Sequence, residues 1–460
     1  MKNEKNVSPL SGKNFAVLAL GCRTNLYESE ALVSMLEARG ACYSESVESV
    51  DIVVVVTCTI TQMADAKTRK LIRRLRRKNP DAAIVACGCY AQVCEEEEAR
   101  ALGVDLLIGN RKKQDVAEAL ESWYAEKKFF CDINSKIAGD RTWDALSLDR
   151  PRLHTRAFVK VQDGCSRRCS YCIVPRVRGM QVSRDALETV DEIARIAASG
   201  CSEIVLTGIH LGSYRCGDVS LGGLIRQIAR VPGLRRLRMG SIEPFAVDDD
   251  LLEALAEVGV FCPHLHIPLQ SGDDGVLSAM RRGYTAVEFA RTVERIRRRL
   301  GDDVHLSTDL IVGFPGESEE AFERSLRLLA SLGLGKVHVF PFSPRTGTEA
   351  AAMEGRVPQV VARERAKRAI ELSDALLEQY AARFVDTTCK ILVEEEAFGI
   401  ASGWTEHYLK ACAILPKNPG QTGGKSIGCV LSVYPKTHVG GILLEQGIDP
   451  ASAERFAADR

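Results

Sequence analysis

The sequence predicts an α/β protein built from three consecutive domains. Two long series of short apolar runs alternate with helical patterns, and a region of short strand-like segments follows them. The apolar runs are rich in β-branched residues and do not alternate with polar ones, which is typical of buried parallel strands. We therefore expect a doubly wound parallel sheet at 12–130, a linker at 131–154, a partial (β/α)6 barrel at 155–385 and a small antiparallel β-barrel at 386–450.

Four apolar runs predict the parallel strands of the first domain, and helical periodicity fills the gaps between them. The strands are expected at NFAVLAL (14–20), DIVVVVT (51–57), AAIVAC (82–87) and DLLIG (105–109). The helices are expected near 25–39, 61–78, 90–102 and 112–126. Residues 131–154 break this alternation with Pro, Gly, Asp and Ser, which indicates a linker.

Six further runs predict the strands of the barrel, with a helix in each gap. They are AFVKVQ (157–162), EIVLTG (203–208), LRRLRMG (234–240), PHLHIPLQ (263–270), VHLSTDLIV (304–312) and GKVHVFPF (335–342). In parallel barrels the chemistry lies at the carboxyl ends of the strands. A long amphipathic helix at 359–385 precedes the third domain, whose β-like segments are separated by Gly, Pro and Asn.

The overall charge gives no indication of a polyanionic partner, because Lys+Arg and Asp+Glu both total 61. Residues 67–78, KTRKLIRRLRRK, are locally basic, so this helix either contacts phosphates or is simply solvated. Residues 1–14 are polar and charged, and no apolar run approaches the ~20 residues of a membrane span. With sixteen cysteines better suited to metal or redox chemistry than to disulfides, we expect a cytoplasmic protein without a membrane partner.

The stretch DGCSRRCSYC (163–172) puts three cysteines at C-x3-C-x2-C spacing directly after the first barrel strand. Cys165, Cys169 and Cys172 are one ligand short of a closed four-ligand site. Iron–sulfur clusters are held by thiolates, whereas structural zinc sites usually have four protein ligands. Buried apolar cysteines are the remaining alternative, which such tight spacing on a polar loop disfavours.

Three more cysteines follow three successive strands of the first domain. Cys22, Cys58 and Cys89 are expected to meet at one edge of the parallel sheet, where open α/β folds bind ligands. Cys87 is a competing candidate, but it belongs to the strand, whereas Gly88 permits the turn that frees Cys89.

C-x3-C-x2-C is the signature of the radical S-adenosylmethionine superfamily, and nearly the whole chain resembles its methylthiotransferase family. The matching segments are ALGCRTNLYESE (19–30), VTCTIT (56–61), GCYAQ (88–92) and KVQDGCSRRCSYCIVPRVRG (160–179). GWTEHYLKA (403–411) resembles the family's small RNA-binding TRAM barrel.

The resemblance implies two 4Fe–4S clusters and S-adenosylmethionine as cofactors. Cys165, Cys169 and Cys172 would be the catalytic set, holding a cluster whose fourth iron binds S-adenosylmethionine and which generates a 5′-deoxyadenosyl radical. Cys22, Cys58 and Cys89 would hold an auxiliary cluster that carries the sulfur, methylated by a second S-adenosylmethionine.

Further cofactor contacts are implied at the ends of the barrel strands: Thr207, Gly208, Glu243, Gln270, Asp309 and Gly313. Thr207 and Gly208 would make backbone contacts to the methionine moiety, and Gly313 with Gly316 would shape a loop near the adenine. A plain β-turn is the alternative for Thr207 and Gly208, and a core network is the alternative for Asp309. The arginines that flank the radical site (Arg167, Arg168, Arg176 and Arg178) could meet the tRNA backbone or the cofactor carboxylate.

Several segments resemble the branch that acts on N6-threonylcarbamoyladenosine at position 37, in the anticodon loop of tRNA. They are LTGIHLGSY (206–214), GSIEP (240–244), HLHIPLQSG (264–272), TDLIVGFPGE (308–317) and HVFPFSPRTGT (338–348). This branch also implies a reductant such as flavodoxin or ferredoxin. Alternatives are the same chemistry on a ribosomal-protein aspartate or on isopentenyl-adenosine and, more remotely, a non-enzymatic zinc-dependent RNA-binding protein.

The last domain offers one further RNA hypothesis. Trp404, His407, Tyr408 and Lys410 could stack on bases and make point contacts, or the aromatic rings could fill a small core.

Overall fold

A computed structural model describes residues 8–415 and 427–448. The start of the polar segment 1–14 therefore lies outside the described residues. So do 416–426 and 449–450 of the region expected to form the C-terminal barrel.

The first domain is a six-stranded, all-parallel sheet in the order β2-β1-β3-β4-β5-β6. Its strands are β1 (Asn14–Ala19), β2 (Cys42–Tyr43), β3 (Ile52–Thr57), β4 (Ala83–Gly88), β5 (Leu106–Ile108) and β6 (Phe130–Asp132). Its helices are α1 (Arg23–Ala38), α2 (Gln62–Lys78), α3 (Glu96–Leu102) and α4 (Val116–Glu126). Every residue of β3 and β4 is buried, as the unalternating apolar runs predict.

Two edge strands of this sheet were not predicted from the sequence. β2 has only two residues, and β6 overlaps the start of the segment expected to be a linker. β6 pairs in parallel with β5, so the sheet continues to Asp132. Short edge strands carry too few residues for a recognisable apolar pattern.

The central domain holds ten strands, of which six form the barrel wall. They are β7 (Ala157–Lys160), β8 (Gln162–Asp163), β9 (Val182–Ser183), β10 (Glu203–Thr207), β11 (Arg215–Cys216), β12 (Val219–Ser220), β13 (Arg236–Met239), β14 (His264–His266), β15 (His305–Val312) and β16 (Lys336–Pro341). The helices are α5 (Val174–Arg178), α6 (Ala186–Ala198), α7 (Leu221–Ile228), α8 (Asp249–Glu257), α9 (Asp274–Ala279), α10 (Ala286–Leu300), α11 (Glu319–Ser331) and α12 (Gln359–Ala382).

The wall consists of two parallel trios, β7-β10-β13 and β14-β15-β16. Isolated parallel bridges, Leu237–Phe261 and Ser241–His266, join the trios into one curved array. Helix α1 of the first domain packs against β7, at one end of this array. The expected partial barrel is confirmed, and the first domain lies beside its first strand.

The C-terminal domain is a curled sheet in the order β20-β17-β18-β19-β22-β21. Its strands are β17 (Cys389–Ala397), β18 (Ile400–Thr405), β19 (Lys410–Ile414), β20 (Val430–Val433), β21 (Pro435–Val439) and β22 (Ile442–Glu445). Its pairs are antiparallel except β19–β22, which is parallel. The sheet shares a hydrophobic core with the end of α12, where Leu377, Tyr380 and Phe384 are buried.

The turn between β18 and β19 packs against the amino-terminal ends of the barrel strands. Tyr408 stacks on Trp404, with ring centroids 4.7 Å apart, and its hydroxyl accepts a hydrogen bond from Arg23 Nη2 at 3.2 Å. Arg238 Nη2, on β13, donates to the Thr405 carbonyl at 3.1 Å. Lys410 is buried as well. These residues are engaged in packing, so the structure favours the core alternative over stacking on RNA.

Within the described residues, no helix combines the length and the apolar character that crossing a bilayer requires.

Candidate active site

The loop that carries Cys165, Cys169 and Cys172 lies between β8 and α5, beyond the carboxyl end of β7. All three cysteines are partly exposed. The Cys165 amide donates to the Gly179 carbonyl at 3.0 Å, and the Cys172 amide donates to the Cys169 carbonyl at 3.1 Å. Gly164 has a φ of +69°, and a β-carbon there would lie 2.2 Å from the Met180 carbonyl oxygen, so only glycine fits at this turn.

Arginine side chains and amides surround this trio. Arg282 Nη1 donates to the Cys169 sulfur at 3.4 Å and to the Tyr171 hydroxyl at 3.3 Å, and Arg282 also forms an ion pair with Glu243. The Arg167 amide donates to the Cys165 sulfur at 3.4 Å. These donors suit thiolate sulfurs. Sequence reasoning missed Arg282, since it lies far along the chain, after the fourth barrel strand.

Burial favours the protonated thiol at two of these cysteines, Cys165 and Cys172. Burial raises the pKa of the Cys172 thiol to about 12, and it also raises the pKa of Cys165. The pKa of Glu243 is raised by burial, against the opposing effect of Arg282. Since thiolates are the metal ligands, loading the site would release protons.

The second trio meets at the carboxyl edge of the first sheet, as expected from strand order. Cys22 caps the amino terminus of α1, Cys58 follows β3, and Cys89 follows β4. A β-carbon on Gly21 would lie 2.6 Å from the Cys58 sulfur, so the loop of Cys22 approaches Cys58 closely. Burial, together with the neighbouring Cys89 and Cys22, raises the pKa of Cys58 to about 11.

Cys87 and Cys89 have different environments. Cys87 lies within β4 and is buried in the main hydrophobic core, away from the ligand edge. Gly88 adopts a φ of +97°, which turns the chain so that Cys89 packs against Ile173 of the radical-site loop and Val177 of α5. The Cys89 sulfur accepts hydrogen bonds from Arg178 Nε at 3.2 Å and from Asn110 Nδ2 at 3.5 Å.

The position of Arg178 in the structure differs from the solvent-facing or cofactor-facing position that the sequence suggested. It was a candidate for the tRNA backbone or the cofactor carboxylate, but its side chain is buried, with 1% exposed, and all its described partners are protein groups. Arg167 has its guanidinium 4.3 Å from the centroid of the Phe245 ring and donates to the Arg282 carbonyl at 2.7 Å. Arg176 is the exposed member of the helix.

The residues expected to contact the cofactor have different surroundings. Thr207 is buried at the end of β10, and a β-carbon on Gly208 would lie 3.0 Å from the Gln162 side chain. Gln270 has a φ of +73°, and its amide donates to the Asp309 carbonyl at 2.9 Å. Asp309 Oδ2 lies 3.2 Å from His266 Nε2, which matches the core-network alternative.

Gly313 is required by packing. Its φ is +74°, its amide donates to Glu317 Oε2 at 2.6 Å, and a β-carbon there would lie 2.6 Å from the Ala362 β-carbon on α12. Its contact with α12 explains the glycine without a cofactor.

His210 is a site residue that sequence reasoning did not assign, although it lies in LTGIHLGSY. Its side chain is buried, and neither ring nitrogen has a hydrogen-bond partner within the described structure. Burial, together with the positive charges of Arg167 and Arg282, lowers the pKa of His210 to about 4. A buried polar group without a partner is costly, so this ring fits a site that a ligand completes.

Both cysteine trios supply thiol groups, and thiolates are the ligands that hold iron–sulfur clusters. Across 8–415 and 427–448, no group of three or more His, Cys, Asp or Glu could hold a metal ion. Zinc requires ligands gathered round one point, whereas the cysteines of a 4Fe–4S cluster bind different irons.

Two family models match the chain. Residues 159–329 match the Radical SAM superfamily, and 14–109 match the Uncharacterized protein family UPF0004. A solved structure of the radical S-adenosylmethionine methyltransferase TsrM from Kitasatospora setae aligns with a TM-score of 0.54 and 16% identity, over 85% of this chain and 81% of that one. At this identity the likeness concerns the fold alone.

Similar proteins of known name extend over most of the chain. Threonylcarbamoyladenosine tRNA methylthiotransferase MtaB of Bacillus subtilis is 36% identical, over 85% of this chain and 88% of its own. The tRNA-2-methylthio-N(6)-dimethylallyladenosine synthase of Aquifex aeolicus is 32% identical, over 85% and 90%. With both cysteine trios in the positions described above, the chain belongs to the radical S-adenosylmethionine methylthiotransferase family.

Proposed function

We propose that this enzyme converts N6-threonylcarbamoyladenosine at position 37 of tRNA to its 2-methylthio derivative, with two 4Fe–4S clusters and S-adenosylmethionine. The observation that carries the proposal is the meeting of two incomplete cysteine trios at one domain interface, where Cys89 packs against the loop of Cys172. One trio suits radical generation and the other suits a sulfur carrier. The names of the relatives above supply the substrate.

The roles of the protein's own residues follow from their contacts. Cys165, Cys169 and Cys172 would hold the cluster that, when bound, supplies the electron for reductive cleavage of S-adenosylmethionine. Arg282 orients Cys169 and holds Glu243 at the rim of the same site. His210, whose ring centroid lies 5.7 Å from that of Phe245, would offer a ring nitrogen to a bound ligand. An external one-electron donor such as flavodoxin or ferredoxin is needed.

The basic face of α2 supports tRNA as the partner. Six of its basic residues are exposed: Lys67, Lys70, Arg73, Arg74, Arg77 and Lys78. Arg76 and Lys78 differ, because they are bound to Asp105 and Glu48. The helix begins four residues after Cys58, so this face extends outward from the auxiliary site and offers a path for a phosphate backbone.

The second candidate substrate is isopentenyl-adenosine in tRNA, since relatives with that activity in their names are 32–35% identical. Strands β14–β16 carry His266, Asp309 and His338 close together, with the His266 and His338 rings 5.5 Å apart and His338 exposed. Such polar side chains suit the threonylcarbamoyl group better than an apolar isopentenyl tail.

Nucleosides from cells that lack the gene test this proposal. Loss of 2-methylthio-N6-threonylcarbamoyladenosine, with the unmodified precursor retained, is the expected result. Complementation with Cys22→Ala, Cys58→Ala or Cys89→Ala should fail to restore the product, while the purified variants still cleave some S-adenosylmethionine. Unchanged levels of the nucleoside in the deletion strain would remove the leading substrate.

A further inference from the structure

The guanidinium of Arg178 is buried and forms hydrogen bonds with four different side chains. Nε donates to the Cys89 sulfur at 3.2 Å, and Nη2 donates to Asn25 Oδ1 at 2.5 Å. Nη1 donates to Glu28 Oε1 and to Asp163 Oδ1, both at 3.0 Å. One side chain thus uses all three of its nitrogens inside the domain interface.

Two of the other partners lie close in sequence to a cysteine of each trio. Asn25 lies three residues after Cys22, whose sulfur is 3.8 Å from Asn25 Oδ1. Asp163 lies two residues before Cys165 and accepts a hydrogen bond from the Gly164 amide at 2.7 Å. Arg178 therefore connects the auxiliary trio directly to the segment that leads into the radical trio.

The surrounding charges are balanced, so the guanidinium is held firmly. Lys160 Nζ lies 3.0 Å from Glu28 Oε1 and 3.1 Å from Asp163 Oδ2. Lys113 Nζ lies 2.8 Å from Asp144 Oδ2 and 3.5 Å from Glu28 Oε1. Buried charges that are fully paired are costly to disturb, because removing one partner leaves another uncompensated.

We propose that Arg178 is a positioning residue of the auxiliary site, which fixes the Cys89 sulfur relative to the radical loop and sets the reduction potential of the cluster bound there. A charge-assisted hydrogen bond to a ligating sulfur stabilises the more negative, reduced form of a cluster and so raises its potential. The inference rests on the proposed function, because it requires Cys89 to be a cluster ligand.

The test is a redox titration, followed by electron paramagnetic resonance, of protein purified and reconstituted without oxygen. Arg178→Gln should keep the radical-site signal and 5′-deoxyadenosine formation, while the potential of the auxiliary cluster falls. The amount of methylthio product formed per 5′-deoxyadenosine should fall roughly tenfold. This is the lower end of the loss seen when a hydrogen-bond partner of a metal ligand is replaced. Arg178→Lys keeps the positive charge but lacks the planar guanidinium with its several donors, so the auxiliary cluster should have an intermediate potential.

Arg184→Lys is the matched control. Arg184 is also buried and paired, with Glu192 and the Tyr27 hydroxyl, but its described contacts include no cysteine. Its substitution should leave both potentials unchanged. Auxiliary potentials equal to wild type in both Arg178 variants would overturn the inference, and Arg178→Lys decides the question if Arg178→Gln does not fold.

Cys89→Ala separates this inference from its premise. The variant should lose the auxiliary signal and bind about four irons instead of about eight. If it retains both clusters, the ligand assignment in the proposed function is wrong, and the inference is overturned with it. If it loses one cluster while the Arg178 variants behave as wild type, only the role of Arg178 is rejected.

Discussion

The ring of Tyr408 stacks on the ring of His264 with their centroids 4.5 Å apart, which joins the C-terminal sheet to the interior of the barrel. The Tyr408 ring also has guanidinium groups beside it, with Arg238 at 4.7 Å and Arg23 at 5.8 Å from the ring centroid. Arg23 directly follows Cys22, so residues of all three domains meet at this ring.

Tyr408→Ala should destabilise the whole protein. Truncating a packed aromatic side chain typically costs about 3–5 kcal/mol of unfolding free energy. Tyr408→Phe removes only the hydroxyl bonded to Arg23, so it should cost about 1 kcal/mol. Thermal unfolding of the purified variants measures both effects. Equal midpoints for wild type and Tyr408→Ala would show that the ring does not hold the domains together.

His305 should make stability depend on pH. Burial lowers the pKa of His305 to about 3, so the folded protein keeps the ring neutral, whereas the unfolded chain binds a proton below its ordinary value of about 6.5. The neutral ring makes its full contribution to the free energy of unfolding above pH 6.5. This contribution is lost as the pH falls towards 3, by up to about 1.4 kcal/mol per pH unit.

His305→Phe should therefore flatten the pH dependence of the thermal midpoint between about pH 3 and 6.5, the window set by these two pKa values. The variant should also be less stable at pH 8, because the His407 carbonyl, 2.6 Å from Nδ1, loses its donor. His438→Phe, on the C-terminal sheet, is the control. An unchanged slope for His305→Phe would contradict the buried neutral state.

His210→Phe should separate stability from activity. Phenylalanine keeps the ring and removes two buried nitrogens that have no partner in the described structure, so the thermal midpoint should stay the same or rise. Product formation should fall roughly tenfold if a ligand completes this site, as loss of one hydrogen bond to a charged group would give. Full activity with an unchanged midpoint would assign His210 to the scaffold.

Charge reversal on α2 should weaken tRNA binding. Arg73→Glu with Arg77→Glu removes two exposed positive charges, so the salt dependence of binding should become shallower by about one unit per lost phosphate contact. Arg298→Glu with Arg299→Glu makes the same change on the exposed face of α10 and is the control. Equal losses of tRNA affinity in both double variants would indicate that binding depends on the overall charge of the protein rather than on a docking face on α2.

The sequence predicts the parallel strands well because burial on both faces produces continuous apolar runs such as those of β3 and β4. It also predicts where Cys22, Cys58 and Cys89 converge, since carboxyl ends of parallel strands meet at one edge. The partners of Arg178 and Arg282 could not be predicted. Their contacts depend on how two domains and distant loops pack, and no local spacing records that arrangement.

The role of the aromatic residues of the C-terminal domain also could not be predicted from the sequence. Aromatic side chains such as Trp404 and Tyr408 can either stack on RNA bases or fill a core. Only the packing of the β18–β19 turn against the barrel distinguishes these two roles.

The most direct test of the central claim is product analysis with reconstituted enzyme, reductant, S-adenosylmethionine and a sulfur source. Two transcripts should be compared, identical except for N6-threonylcarbamoyladenosine or isopentenyl-adenosine at position 37. We predict 2-methylthio-N6-threonylcarbamoyladenosine by mass spectrometry, formed at the first transcript and abolished by Cys89→Ala. Methylthiolation of the isopentenyl transcript alone would contradict the assigned substrate, and 5′-deoxyadenosine without methylthio product on either would contradict the assigned reaction.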